Sequence, residues 1–212
     1  MKLPAVGMMA IDSSRTRAYL GALIQRDLLP SHVIFLTGGP DAAKPSFPPV
    51  SYFDNSTPAL ETVRAHELPC TVVDTGDVNS PEVVAAVKTC PVEVLIYSGP
   101  GGAILGSEIL SRGKRFLHIH PGFLPSFRGS TTVYYSLLTT RECGVSALFL
   151  SEDIDTGPLL ARATYPPPAN RTTIDQGYDP YIRSDLLIRV LLHYEETGKF
   201  PEPQSQRADQ GE

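Results

Sequence analysis

Two imidazoles one residue apart, His118 and His120, open the stretch "HIHPGFLPSFRG" (118–129) in a chain with five histidines. If "RFLHIH" is a strand, its side chains alternate between faces. His118 and His120 then share one face about 7 Å apart, with Ile119 on the other. Histidine changes its charge near neutral pH, so such a pair can move protons. It can equally be two hydrogen-bonded structural rings or half of a metal site. Asp155 in "DIDTG" (153–157) is read in two ways. As a turn aspartate before Gly157 it only shapes a loop, whereas with His118 and His120 it completes a three-ligand set for a zinc hydrolase.

Placing these residues requires a scaffold, and composition bounds it. The chain has 212 residues, 42% apolar and 19% charged, which suits one core of ordinary domain size. A formal charge of −5 and the lack of any lysine or arginine run argue against a nucleic-acid partner. No signal peptide is evident at the N-terminus and no run of about eighteen apolar residues occurs, so a cytoplasmic protein without a membrane partner is expected. Cys70, Cys90 and Cys143 are odd in number and far apart, which predicts reduced, buried thiols.

The elements alternate. "PAVGMMAI" (4–11) is expected as a strand, followed by a helix from Ser13 or Ser14 with Tyr19, Leu20, Leu23 and Ile24 on one face. Strand "HVIFLTGG" (32–39) leads into a long polar, proline-bearing loop over 40–56. A helix over 58–68, strand "CTVVD" (70–74) and a helix over 79–90 with Ser80 as cap and Pro81 in its first turn come next. Strand "VEVLIYSG" (92–99), a helix over 103–113 and strand "RFLHIH" (115–120) follow. The rest reads as a helix over 130–143, two strands turned into one another by "DIDTG", and an amphipathic helix over 179–198. The pattern predicts an α/β protein with a mostly parallel twisted sheet and helices on both faces. Its catalytic domain is expected over 1–200, with a frayed polar tail at 201–212.

Ligands of such sheets lie beyond the carboxyl ends of the strands, where "RFLHIH" ends. "HIHPGFLPSFRG", followed by "GVSALFLSEDIDTGPLL" (144–160), resembles the signature of the folate-dependent formyltransferases, a family with a Rossmann-like catalytic domain. The resemblance implies 10-formyltetrahydrofolate as formyl donor and an amine as acceptor. It makes His120 the catalytic histidine beside the formyl carbon and Asp155 the carboxylate that orients it and relays protons. Gly102, Ile104 and Leu105 in "GPGGAIL" match the loop that grips the pterin. Ser151, Glu152, Asp153 and Ile154 match the segment whose backbone bonds the pterin edge. The chemistry itself asks for such parts, because an amine attacking a formamide carbon needs a donor for the oxyanion and a route for the proton.

His118 departs from the pattern, standing where the family has asparagine; an imidazole N–H can still donate to the formyl oxygen. Arg128 is a candidate for an anionic substrate or the folate tail. Ser13 and Arg15, at a helix N-terminus, are candidates for a substrate anion. The chain lacks the basic surface expected for tRNA and the glycine-rich phosphate loop after the first strand. The expected acceptor is therefore a small molecule, an amino sugar nucleotide or a modified amino acid, in a monomer or homodimer with no resident metal. Hydrolysis of formyltetrahydrofolate, folate binding without turnover, and the zinc hydrolase stay as alternatives.

Overall fold

The computed structural model describes residues 2–38 and 47–206. In chain order the elements are β1 (Lys2–Leu3), β2 (Val6–Ala10), α1 (Ser14–Gln25), β3 (Leu29–Pro30), β4 (Val33–Leu36), α2 (Ala59–Ala65), β5 (Cys70–Val73), α3 (Pro81–Thr89) and β6 (Val94–Ser98). They continue with α4 (Ser107–Leu110), β7 (Arg115–His120), α5 (Thr132–Thr140), β8 (Cys143–Phe149), β9 (Leu159–Tyr165), a π-helical turn (Ile174–Tyr178) and α6 (Asp179–Thr197).

Seven strands form one sheet in the order β5-β4-β2-β6-β7-β8-β9. The first five are parallel, and β8 and β9 are added antiparallel, so the sheet is mostly parallel, as the alternating pattern predicts. Its central strands β2, β4 and β6 are buried at every residue. Helices cover both faces of a central parallel sheet, which is why these strands read as unbroken apolar runs. One face packs Tyr19 and Leu20 of α1, Val63 of α2 and Ile182 and Leu186 of α6. The other packs Val83 and Val87 of α3 and Ile109 of α4.

The caps explain where helices start. The Ser13 hydroxyl accepts from the Thr16 amide at the head of α1, and Ser80 accepts from Val83 ahead of Pro81 in α3, each satisfying a donor that a helix start leaves free. The helix expected over 103–113 shrinks to the single turn α4. The Asn79 side chain explains this, since it accepts from the Gly106 amide at 2.7 Å and donates to the Ile104 carbonyl at 2.9 Å. Those backbone groups are thereby withdrawn from a helix.

Of the expected loop over 40–56, residues 40–46 lie outside the described residues, and 47–56 form neither helix nor strand. The tail differs from the frayed segment expected over 201–212 in its described part. Gln204 exchanges two 2.8 Å backbone hydrogen bonds with Leu159 at the edge of β9, so an otherwise open edge acquires a partner there. Residues 207–212 lie outside the description.

Gly157 shows what the aspartate-x-glycine spacing requires. A Cβ there would lie 1.8 Å from the Phe149 carbonyl oxygen, because the loop from β8 to β9 folds flush against its own strand. Gly157→Ala is expected to destabilise the protein by about 2–4 kcal/mol through forced backbone displacement, read by chemical denaturation. A change below about 0.5 kcal/mol would refute this account of the loop.

Candidate active site

β7 buries Leu117 and Ile119 on one face of the sheet and turns His118 and His120 to the other, their ring centroids 6.3 Å apart. The alternation is that of any strand; the surroundings make the two rings different. His120 is 2% exposed, and both its nitrogens are engaged. Nε2 lies 2.7 Å from the Phe127 carbonyl, which can only accept, so Nε2 carries a proton. Nδ1 lies 3.2 Å from Asp155 Oδ1. Gly122 allows this arrangement, because a Cβ there would lie 2.7 Å from the Phe127 oxygen and 2.8 Å from His120 Nε2.

Asp155 is held from three directions. Its Oδ2 accepts from the Gly129 amide at 2.9 Å, its Oδ1 faces His120, and its backbone carbonyl accepts from Gln206 Nε2 at 2.8 Å. The same Gln206 nitrogen donates to the Gly157 carbonyl at 2.7 Å. Asp155 has φ +55°, a left-handed conformation that aspartate tolerates better than most residues. Burial pushes its carboxyl pKa up, but the hydrogen bond and charge of His120 and the Gly129 amide outweigh it and leave the group below its ordinary value. Asp155 is thus an anion facing His120 Nδ1.

His118 has the opposite surroundings. Its Nδ1 is buried without a hydrogen-bond partner among the described residues. Burial first, then the charges of Arg183, Arg15 and His120, hold its pKa well below 6.5. At neutral pH this ring is uncharged, with one nitrogen a donor and the other an acceptor.

Both rings line a cleft of about 480 Å³. Gly102, Ile104, Leu105, Ser151, Asp153, Ile154, Asp155 and Arg15 line it too, so the structure brings together most of the residues singled out in the sequence. Glu152, Arg128 and Ser13 are not on this wall. Ser13 spends its hydroxyl on the cap of α1, and Arg128 reaches Gln206 Oε1 at 3.4 Å. Ile104 and Ile154, 52% and 54% exposed, form an apolar lip of the kind a flat heterocycle covers. Leu105 and Leu150 line the same cleft, with Ser151, Asp153 and Ile154.

Tyr97 and Arg183 are among the wall residues not singled out in the sequence. Tyr97 of β6 reaches the Ala103 carbonyl at 3.4 Å, and burial pushes its hydroxyl pKa up to about 12, so it stays protonated. Arg183 of α6 is 5% exposed and pairs with Asp179 at 3.2 Å. A signal for it existed, since Asp179 and Arg183 fall on the apolar stripe that Leu187 and Leu191 continue. Charges on a buried stripe usually have a task. Gln206 has no comparable signal in its polar surroundings.

His118, His120 and Asp155 each bring a ligand atom within 4.8 Å of the others, the geometry behind the zinc alternative. The cations Arg15 and Arg183 on the same wall oppose a further positive charge there. Among the described residues no helix is long and apolar enough to cross a membrane.

A family profile described as "Formyl transferase" matches residues 37–177. The methionyl-tRNA formyltransferase of Chloroflexus aurantiacus is 31% identical over 151 residues, covering 69% of this chain and 47% of that protein; the chain spans about half the length of the curated relatives it matches. Among solved structures, phosphoribosylglycinamide formyltransferase from Bacillus halodurans superposes with a TM-score of 0.65 at 20% identity, covering 94% of this chain and 97% of that one. A variant of HypX from Aquifex aeolicus gives 0.60 at 17% identity, covering 97% of this chain and 29% of that one. These two likenesses concern the fold. With the profile spanning both the histidine strand and the Asp155 loop, the chain belongs to the formyl transferase family.

Proposed function

We propose that the protein transfers a formyl group from 10-formyltetrahydrofolate to an amine of a small molecule, in the class of amino sugar nucleotides or modified amino acids. The observation that carries this reading is the His120–Asp155 pair, 3.2 Å apart, in the same cleft as the neutral His118 and an apolar lip. A net charge of −5 offers no field for a polyanionic tRNA, which favours a small acceptor. The donor supplies the formyl carbon; Gly102, Ile104, Leu105 and the segment 151–154 would hold it.

The residues divide the work. His118 donates an N–H toward the formyl oxygen as negative charge grows there, an interaction strongest in the transition state. His120, fixed by the Phe127 carbonyl and Asp155, holds its ring beside the same carbon. Asp155 accepts the proton that the amine loses as its bond to the formyl carbon forms, directly or through one water, and that proton is passed to the tetrahydrofolate nitrogen as its bond to the formyl carbon breaks.

Incubation with formyltetrahydrofolate and a panel of amines, following release of tetrahydrofolate, tests the reaction. Saturating tetrahydrofolate alone is expected to raise the melting temperature, since a ligand bound only by the native state stabilises it. No shift would count against the folate cleft.

His120→Ala and Asp155→Asn should each lower kcat by roughly a hundredfold or more. The double variant should cost little beyond the worse single one, because the pair acts as a unit. Additive losses would separate their roles.

The His118 assignment needs a neutral ring, and this has a signature in stability. Between its lowered value in the folded protein and the ordinary 6.5, the unfolded chain binds a proton that the folded chain does not. Stability therefore falls as pH drops through that window, by at most about 1.4 kcal/mol per pH unit. His118→Asn should flatten this loss below about pH 6.5 and retain formyl transfer, whereas His118→Ala, with no donor, should lose roughly a hundredfold in turnover. Denaturation curves across pH and the two rates decide it: parent-like turnover in the alanine variant would remove His118 from the mechanism.

A further inference from the structure

The cleft carries two guanidinium groups in its lining. Arg15 of α1 and Arg183 of α6 both line it beside His118. Arg15 donates through Nε to Ser98 Oγ at 3.0 Å and through Nη2 to the Gly99 carbonyl. These neutral acceptors orient the guanidinium without cancelling its charge. Among the described residues it has no carboxylate within ion-pair distance. Arg183 gives Nη1 to Asp179, while its Nε and Nη2 are buried with no hydrogen-bond partner there. The two guanidinium groups crowd one another: burial first and then the charge of Arg183 lower the Arg15 pKa to about 10.

Of the two guanidinium groups only one has a carboxylate partner. Asp179 pairs with Arg183 at 3.2 Å, Asp155 faces His120 at 3.2 Å, and Arg15 remains. Leaving a partly buried cation unpaired beside another is costly, and a ligand that brings one negative charge removes the cost.

We infer that the acceptor amine carries a carboxylate, bound between Arg15 and Arg183 beside His118, so that the substrate is an amino acid or a close derivative and not an amino sugar nucleotide. This rests on the formyl-transfer reading and narrows it. A carboxylate matches the one guanidinium without a carboxylate partner, whereas a phosphate dianion brings a second negative charge to a cleft whose lining already holds Asp153 and Asp155. Guanidinium groups donate to carboxylates in a planar, charge-assisted geometry that also fixes where the rest of the molecule points. With the anion anchored there and the formyl carbon beside His120, the amine is confined to the space between them.

The test uses the whole chain saturated with tetrahydrofolate and measures binding by calorimetry. The probes are the twenty common amino acids and ornithine, their decarboxylated amines, and inorganic phosphate. At least one amino acid is expected to bind roughly tenfold or more tightly than its decarboxylated amine. Arg15→Gln should abolish that difference, and Arg15→Lys, which keeps charge but loses the fork, should restore part of it. The thermal shift with tetrahydrofolate should stay as in the parent, showing that the donor cleft is intact. Arg183 is buried against Asp179, so the variants are confined to Arg15.

The inference is overturned if no amino acid binds, if amines bind equally well without the carboxylate, or if phosphate binds more tightly than any carboxylate and is lost in Arg15→Gln. Failure of the broader reading looks different. Carboxylate-dependent binding with no release of tetrahydrofolate from the formyl donor, for any probe, would sink the transfer reading and leave the subsite standing. Equal kcat/KM for amines with and without a carboxylate would do the reverse.

Discussion

The carboxylate of Asp155 ties together parts of the chain that are far apart in sequence. Its two oxygens face His120 at the end of β7 and the amide of Gly129 in the following loop, and its backbone is gripped by Gln206 from the described end of the chain. None of these contacts could form if the loop between β8 and β9 stood away from the strand. The loop lies flush because Gly157 lacks a Cβ where the Phe149 oxygen passes. A backbone approach thus decides where a negative charge sits, and that charge faces His120.

From this follows the difference between two residues of the same type on the same strand face. His120 has a carboxylate on one nitrogen and a carbonyl on the other. His118 lies in the same cluster as Asp155, yet burial first and then the charges of Arg183, Arg15 and His120 keep it neutral. The cleft lining thus combines exposed apolar side chains, Ile104 and Ile154, with the cations Arg15 and Arg183. Such a lining suits amphipathic substrates.

The fold was largely legible because its parallel strands are buried on both faces and its helices carry caps. Ser13, Ser80 and Pro81 mark helix starts by local chemistry that tertiary structure does not override. The helix over 103–113 misled because its backbone groups bond to Asn79, a residue whose role depends on a loop twenty-five positions away. The site was legible where its residues fall in a contiguous motif: His118, His120, Gly102, Ile104, Leu105 and Ile154 do line one cleft. It was illegible where the contact is long-range and the local pattern bland. Arg183 reads as one charge on an amphipathic helix, and Gln206 as one residue of a polar tail. Arg128 and Ser13 show the converse, since conspicuous residues near a motif can be occupied with framework contacts.

These surroundings also bear on the histidine that replaces an asparagine of the resembled family. An amide is neutral at every pH a protein meets and donates without bringing charge. A histidine can stand in for it only if the protein keeps the ring neutral, and free imidazole, titrating near 6.5, would not reliably be so. Burial supplies that condition first, and the charges of Arg183 and Arg15 reinforce it. Within the proposed reaction the two arginines therefore act twice. They attract an anionic acceptor, and they help hold the neighbouring imidazole in the uncharged form that most resembles the amide it replaces. When an anion binds, it offsets part of the positive field at His118 and makes protonation of the ring less costly as negative charge develops on the formyl oxygen. Acceptor binding and oxyanion stabilisation are then coupled through a single patch of charge.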